Sequence, residues 1–344
     1  MLPRLVSSTV RTFSLFLPSP RTRLSVRCAN KNMVVKNIAT EAQRPANFRL
    51  CNISGYATEI LEIHADDPSL HVLFVPGNPG VISFYKEFVE FLYELLKGSA
   101  SITAIGHICQ TRKDWEHGQL FSLEEQINHK IDFIREELKN IETPILLVGH
   151  SIGSHISLEM FKRFPEKVTY CIGLYPFLML NPQSRMQTVI GKIAESQILC
   201  AALSYLTASL GLLPVWVSRF IVRKLIGKSW STNAIDATCS HLFQYHTMRN
   251  VLFMAMTEFR KLSETPDWAF MRQRQAQLAF LFGDDDHWGP LQMLEEILNQ
   301  VPDMTASVER EGHTHTFSCS EAGSLWVAKH VASLIKDHMA SSHQ

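Results

Sequence analysis

Residues 144–164 read PILLVGHSIGSHISLEMFKRF. Pro144 to Val148 is a short apolar run with the length of a buried strand. Gly149-His150-Ser151-Ile152-Gly153 follows and matches G-x-S-x-G, and Ser151 to Arg163 continues as a helix. A strand, a sharp turn and a helix are the setting in which this pattern makes chemical sense. The chain must reverse within about three residues, and a Cβ at Gly149 or Gly153 would collide with the strand or the helix. Ser151 is then held in a strained conformation with its hydroxyl raised above the end of the strand. The helix N-terminus beneath it favours negative charge.

Outward from this turn, strands and helices alternate. Leu70–Val75 is a strand, broken by Pro76-Gly77-Asn78-Pro79-Gly80, and Phe84, Phe88, Phe91, Leu92 and Leu95 then recur at helical spacing. Ser101–Ile105 is a second strand, and Ser122-x-x-Glu125 is a capping box opening a helix to about Asn140. Val168–Tyr175 is again a strand. After Pro176 some hundred residues look helical, until a strand returns at Gln277–Phe282. A helix over Pro290–Val301, a strand at Thr305–Val308 and a helix from Ser320 to about His338 complete the order. Such alternation predicts an α/β class chain with a mostly parallel sheet and helices on both faces. Together with the serine turn it predicts the α/β-hydrolase fold, carrying a helical, hydrophobic cap insertion. The expected division is a core at 50–176 and 273–340, a cap at 177–272 and a basic leader at 1–40.

A serine hydroxyl needs a base and a group that orients the base. In this fold the chain order is Ser, acid, His. The strand at 277–282 ends in Gly283-Asp284-Asp285-Asp286-His287-Trp288, and the spacing favours Asp286 as the acid, with Asp285 next. The histidine should follow the last strand, where Gly312-His313-Thr314-His315-Thr316-Phe317 offers two; the residues alone do not separate His313 from His315. An oxyanion would be held by two backbone N–H groups, from Ile152 and from Asn78 in the Gly77–Gly80 loop, since Pro79 has none to give. His150 reads as the variable residue of the turn, and His155 as a packing residue one helical turn deeper.

Bulk composition agrees with a folded enzyme. The chain has 344 residues, 46% hydrophobic and 19% charged, with zero formal net charge, which argues against a general nucleic-acid partner. The charge is uneven: residues 1–40 hold seven Lys or Arg and no acid, leaving the rest at −7. That start reads as an organelle transit peptide, with Val26-Arg27-Cys28-Ala29 resembling a plastid processing site; a disordered leader, or translation from Met33, are the alternatives. Seven scattered cysteines without a C-x-x-C pair fit reduced thiols, and fifteen histidines without ligand spacing predict no metal; no cofactor is expected.

One stretch points to lipid. Ser196–Ser218 (SQILCAALSYLTASLGLLPVWVS) has no charge, and Arg219, Arg223 and Lys224 follow among Phe220, Ile221, Val222, Leu225 and Ile226. The region 196–226 is expected to lie at a lipid boundary, and to form an apolar roof over Ser151.

Three pieces together carry a family resemblance: Pro76-Gly77-Asn78-Pro79-Gly80 with Phe84-Tyr85, the turn Gly149-His150-Ser151-Ile152-Gly153-Ser154, and Asp286-x-Trp288. Over roughly residues 68–338 the chain resembles the lipid droplet-associated hydrolases. The resemblance implies a serine lipid hydrolase at the surface of lipid droplets and the endoplasmic reticulum, with sterol esters or other neutral acyl lipids as substrate class. It carries Ser151 over as nucleophile and Asp286 as acid. The family's histidine is followed by a small residue and Phe, which selects His315 over His313. Alternatives are an acyltransferase with the same triad, a non-catalytic or weakly active droplet-binding protein, and a chloroplast address through the leader. A haloalkane- or epoxide-type hydrolase would need Asp where Ser151 stands.

Overall fold

The computed structural model of the chain describes residues 44–225 and 229–342. The basic leader at 1–40 and Ile226 lie outside the described residues.

In chain order the elements are β1 Asn47–Ile53, β2 Tyr56–Ile63, β3 Leu70–Val75, α1 Lys86–Leu95, β4 Ala100–Ile105, α2 Leu123–Glu136, β5 Ile145–His150, α3 Ile152–Arg163 and β6 Val168–Leu174. Six helices follow: α4 Arg185–Glu195, α5 Gln197–Gly211, α6 Val215–Leu225, α7 Thr232–Ala237, α8 Tyr245–Lys261 and α9 Trp268–Gln273. Then come β7 Leu278–Gly283, α10 Leu291–Gln300, β8 Thr305–Glu309 and α11 Glu321–Ser342.

The eight strands form one sheet in the order β1-β2-β4-β3-β5-β6-β7-β8. β1 pairs antiparallel with β2, and β2 with β4, while every other pairing is parallel. Side chains alternate across the sheet as strand geometry requires. Val72 and Phe74 of β3 face a core built with α1 and α11, and Leu73 and Val75 face a core built with α2, α3 and α10. This is the α/β-hydrolase fold that the β/α alternation implied. β3 lies between β4 and β5, so the strand order reverses there and opens a crevice at the carboxyl ends of the strands.

The β1–β2 hairpin is absent from the sequence reading. Its turn is Ser54-Gly55, both at positive φ (50° and 92°), as tight hairpins require. β1 is an edge strand that leaves Phe48 and Leu50 exposed, so its apolar residues do not mark a buried face. The capping box at Ser122 and Glu125 forms, with Glu125 N–H donating to Ser122 Oγ and Ser122 N–H to the Glu125 carboxylate. The helix it opens ends at Glu136, short of the expected Asn140.

The uncharged stretch is not one element. It breaks at Gly211–Pro214 into α5 and α6. A Cβ on Gly211 would press into the Phe243 carbonyl, 2.6 Å away, so the chain crosses its neighbour closely there. Among the described residues no single helix is long and apolar enough to cross a membrane, although α4 and α5 together, bent by 97°, have the length and composition.

Candidate active site

Four loops meet above the carboxyl ends of β3, β5, β7 and β8. The β5 loop is the serine turn. Ser151 adopts φ 56° and ψ −123°, a conformation that L-residues rarely hold. Its N–H donates to Leu174 O at 2.9 Å, and its carbonyl accepts from Ser154 N–H at 3.0 Å and Phe177 N–H at 3.1 Å, so the turn is pinned from β6 and from α3. The two glycines are explained by crowding: a Cβ on Gly149 would meet the Gly153 carbonyl, and one on Gly153 the Val75 and Pro76 carbonyls.

The β7 loop carries the aspartates. Asp284 and Asp285 are exposed, whereas Asp286 turns inward and is buried. Its Oδ1 accepts from Trp288 N–H at 2.9 Å and its Oδ2 accepts from His315 Nδ1 at 2.8 Å. Burial alone would raise this carboxyl, but the His315 ring and the Trp288 N–H outweigh it, and it lies below the ordinary aspartate range.

Of the two histidines after β8, His315 is buried on Asp286 and lines a cavity with Ser151. His313 is half-buried beside Trp326 of α11, its ring centroid 5.7 Å from the indole, while its carbonyl accepts from Tyr175 Oη at 3.4 Å. In extended backbone residues two apart share a side; the turn that begins at His315 breaks that alternation, so one ring faces the sheet's end and the other the helix.

The β3 loop supplies Gly77 and Asn78. A Cβ on Gly77 would lie 3.0 Å from Ser151 Cβ and 3.1 Å from His150 Nδ1, so only glycine lets this backbone approach the serine. Asn78 turns its side chain away, with Nδ2 donating to Val251 O and Glu258 Oε1, both at 2.9 Å. Ile152 is the first residue of α3, where a helix has no carbonyl one turn back for its N–H.

His150 and Tyr85 do more than their sequence reading allowed. Gly77 N–H donates to Tyr85 Oη at 3.2 Å, the Tyr85 hydroxyl to His150 Nδ1 at 2.7 Å, and His150 Nε2–H to the His315 carbonyl at 2.9 Å. The carbonyl can only accept, so the proton of His150 is on Nε2 and Nδ1 is bare. Burial holds this imidazole well below its ordinary value, which keeps it neutral and the chain of bonds intact. One buried relay thus ties the β3, β5 and β8 loops together. The signal for it was the Phe84-Tyr85 pair, whose tyrosine hydroxyl needs a partner once buried.

The apolar roof differs from expectation. The cavity over Ser151 is lined from the inserted helices by Leu242, Met248, Val251, Ala255 and Glu258, and by no described residue of 196–226. α5 packs outside α8 instead, and α6 against α5, α7 and the π-helical turn Thr238–Leu242: Cys200, Leu203 and Val222 reach inward, and Ile198, Leu212 and Trp216 stand 81%, 88% and 74% exposed. The stretch is too apolar all round for one buried face to absorb it.

Among the described residues no group of His, Cys, Asp and Glu side chains could hold a metal ion.

The arrangement has known relatives. Proteins named lipid droplet-associated hydrolase are similar to this chain: one from Dictyostelium discoideum is 29% identical over 262 residues, covering 71% of this chain and 81% of its own length. Another from Gallus gallus is 28% identical over 289 residues, covering 78% and 84%. Among solved structures, a haloalkane dehalogenase from Bradyrhizobium elkani aligns with a TM-score of 0.64 at 14% identity, over 86% of this chain and 99% of that one. An epoxide hydrolase from Vigna radiata aligns at 0.62 and 14% identity, over 86% and 100%. These two share the fold. The model of the family described as lipid-droplet associated hydrolase matches residues 68–318, and the chain therefore belongs to that family.

Proposed function

We propose that the protein is a serine hydrolase of lipid esters, sterol esters or other neutral acyl lipids, acting at the surface of lipid droplets and the endoplasmic reticulum. The observation that carries this reading is the 2.8 Å bond between His315 Nδ1 and the buried Asp286 Oδ2, in the wall of the cavity that Ser151 enters at positive φ. With Nδ1 on the carboxylate, Nε2 is the nitrogen left to act as base.

Ser151 Oγ attacks the ester carbonyl while His315 Nε2 takes its proton. The N–H groups of Ile152 and Asn78 hold the resulting oxyanion. The intermediate collapses, His315 returns the proton to the departing alcohol, and an acyl-serine remains. Water, deprotonated by His315, then releases the fatty acid and restores Ser151. Phe84, Phe177, Leu242, Met248, Val251 and Trp288 give the cavity an apolar wall suited to an acyl chain.

Residues 177–272 act as a cap in this reading, and α5–α6 as the lipid-facing part. Ile198, Leu212, Val215, Trp216 and Phe220 are exposed together on this stretch, and the exposed Arg223 and Lys224 at the end of α6 suit phospholipid headgroups. The relatives' names support the droplet address and give none to a plastid one.

Labelling with a fluorophosphonate probe, with and without added lipid droplets, tests the reading. Wild type is expected to label, Ser151→Ala and His315→Ala to lose labelling, and His313→Ala to keep it. A folded wild type that stays unlabelled under both conditions would overturn the proposal.

A further inference from the structure

The wall of the cavity holds one acidic side chain, among the residues that line it. Met248, Val251, Ala255 and Glu258 are spaced three and four apart on α8, so they share the face turned to the cavity. Glu258 is only 3% exposed. Its Oε1 accepts from Asn78 Nδ2 at 2.9 Å, and the second amide hydrogen goes to Val251 O at 2.9 Å. These two bonds fix which way the amide faces. They leave Asn78 Oδ1 buried and, among the described residues, without a donor.

A buried acceptor without a donor is costly, and a carboxylate beside it has no proton to offer. A protonated carboxyl does. Acid and amide are complementary in both directions: an amide N–H donates to one acid oxygen, and an acid O–H can donate to the amide oxygen.

We infer that Glu258 is a neutral carboxylic acid at neutral pH, and that its pairing with Asn78 is the means by which α8 positions the β3 loop beside Ser151. Glu258 is a positioning residue here, acting through Asn78. Burial pushes its carboxyl up to about 8, against the Asn78 hydrogen bond, which pulls it down.

No charge nearby would hold it ionised. The titratable groups sharing the cavity are Tyr85, His150, His315 and Cys319. On α8 itself, Arg260 and Lys261 are exposed, Arg249 lies nine residues back along the helix, and His246 Nε2 is bonded to Thr111 O; in the π-helical turn Thr238–Leu242 packed on α8, His241 Nε2 is paired with Glu59. Of the helices packed on α8, α5 has no charged residue; Arg185, Lys192 and Glu195 of α4, and Glu124 and Glu125 of α2, are exposed. Lys130 of α2 is buried but gives its hydrogens to Gly106 O, Gln126 Oε1 and His129 Nδ1, and His129 Nε2 is bonded to Thr58 Oγ1.

Loss of the proton therefore has two effects. The acid O–H that can donate to Asn78 Oδ1 is gone, and a negative charge appears beside the loop where the oxyanion would form. The second effect rests on the serine hydrolase reading; the first does not.

Glu258→Gln replaces O–H by N–H and keeps the acceptor, so the pair survives at every pH. In wild type the rate of Ser151 labelling, and kcat/KM for a soluble short-chain ester, are expected to fall about tenfold per pH unit above a midpoint near 8. Glu258→Gln should keep the neutral-pH rate and lose that alkaline limb. Glu258→Leu should lower kcat at neutral pH with little change in KM. Independently of catalysis, infrared difference spectra of wild type between about pH 6 and about pH 10 should show loss of a protonated-carboxyl C=O band that Glu258→Gln lacks. The inference fails if wild type shows no such band, or if the alkaline limb persists in Glu258→Gln. Should neither variant fold, the wild-type band and rate profile decide it alone. A chain that shows the band but never labels keeps the pair and loses the hydrolase reading; a chain that labels without the band does the reverse.

Discussion

At the scale of single residues, the candidate site depends on groups that exchange no proton or bond with the substrate in the proposed reaction. Tyr85 accepts from Gly77 N–H and donates to His150, and His150 donates to the His315 carbonyl. Tyr85→Phe removes one hydroxyl and leaves two buried groups without partners, at a cost of about 1–3 kcal/mol each. The expected outcome is a lower melting temperature and a lower kcat with KM unchanged, since the loops that hold base and oxyanion lose their common tie. An unaltered kcat would remove the relay from any role in positioning. His150→Gln tests the same tie from the other side: its amide can still donate to the His315 carbonyl, so it should recover more kcat than His150→Leu. The placement of Ser151 in the turn and of Asp286 at the end of β7 was readable from spacing. That of His150 was not, because G-x-S-x-G leaves its second position open, and only burial between two loops turns that residue into a bridge.

At the scale of elements, the uncharged stretch shows how composition and context divide the work. Its apolar content was evident from the residues, but not its break into α5 and α6, nor which side faces inward. Cys200, Leu203 and Val222 join the core, so deleting the whole stretch would strip packing as well as any lipid contact. Point substitutions separate the two. Ile198→Ser, Leu212→Ser and Trp216→Ser together remove outward side chains, each worth about 1.5–3 kcal/mol when fully buried in lipid. The triple variant is expected to leave droplets in a flotation assay while hydrolysing a soluble short-chain ester at the wild-type rate. Retention on droplets would assign attachment to another surface. Arg219 contributes differently: its bidentate pair with Asp236, at 2.7 and 2.9 Å, ties α6 to α7. The β1–β2 hairpin escaped the sequence reading for the opposite reason, since an edge strand with one exposed face carries a weak pattern.

At the scale of the whole molecule, two buried carboxyls near the site should contribute to the pH dependence of stability in opposite sense. Glu258 has its folded pKa raised from 4.5 to about 8. Its contribution to stability is complete below 4.5 and is lost as pH rises through about 8, a swing of at most about 5 kcal/mol. Asp286 has its folded pKa lowered, so its contribution is present above the unfolded value and is lost as pH falls through the folded one. Denaturant titrations of wild type and Glu258→Gln are therefore expected to diverge as pH rises, the variant becoming the more stable; parallel curves would count against a buried neutral acid. The sequence by itself determined the β/α order, the serine turn, the aspartate loop and the pair of histidines, because each is written in a local pattern of apolar spacing, glycine and chain order. Which histidine meets Asp286, which helix roofs the cavity, and the pairing of Asn78 with Glu258 across 180 residues were decided only by tertiary structure. Those contacts join segments far apart in the chain, and no local periodicity records which side chains the assembled sheet will bring within hydrogen-bond reach.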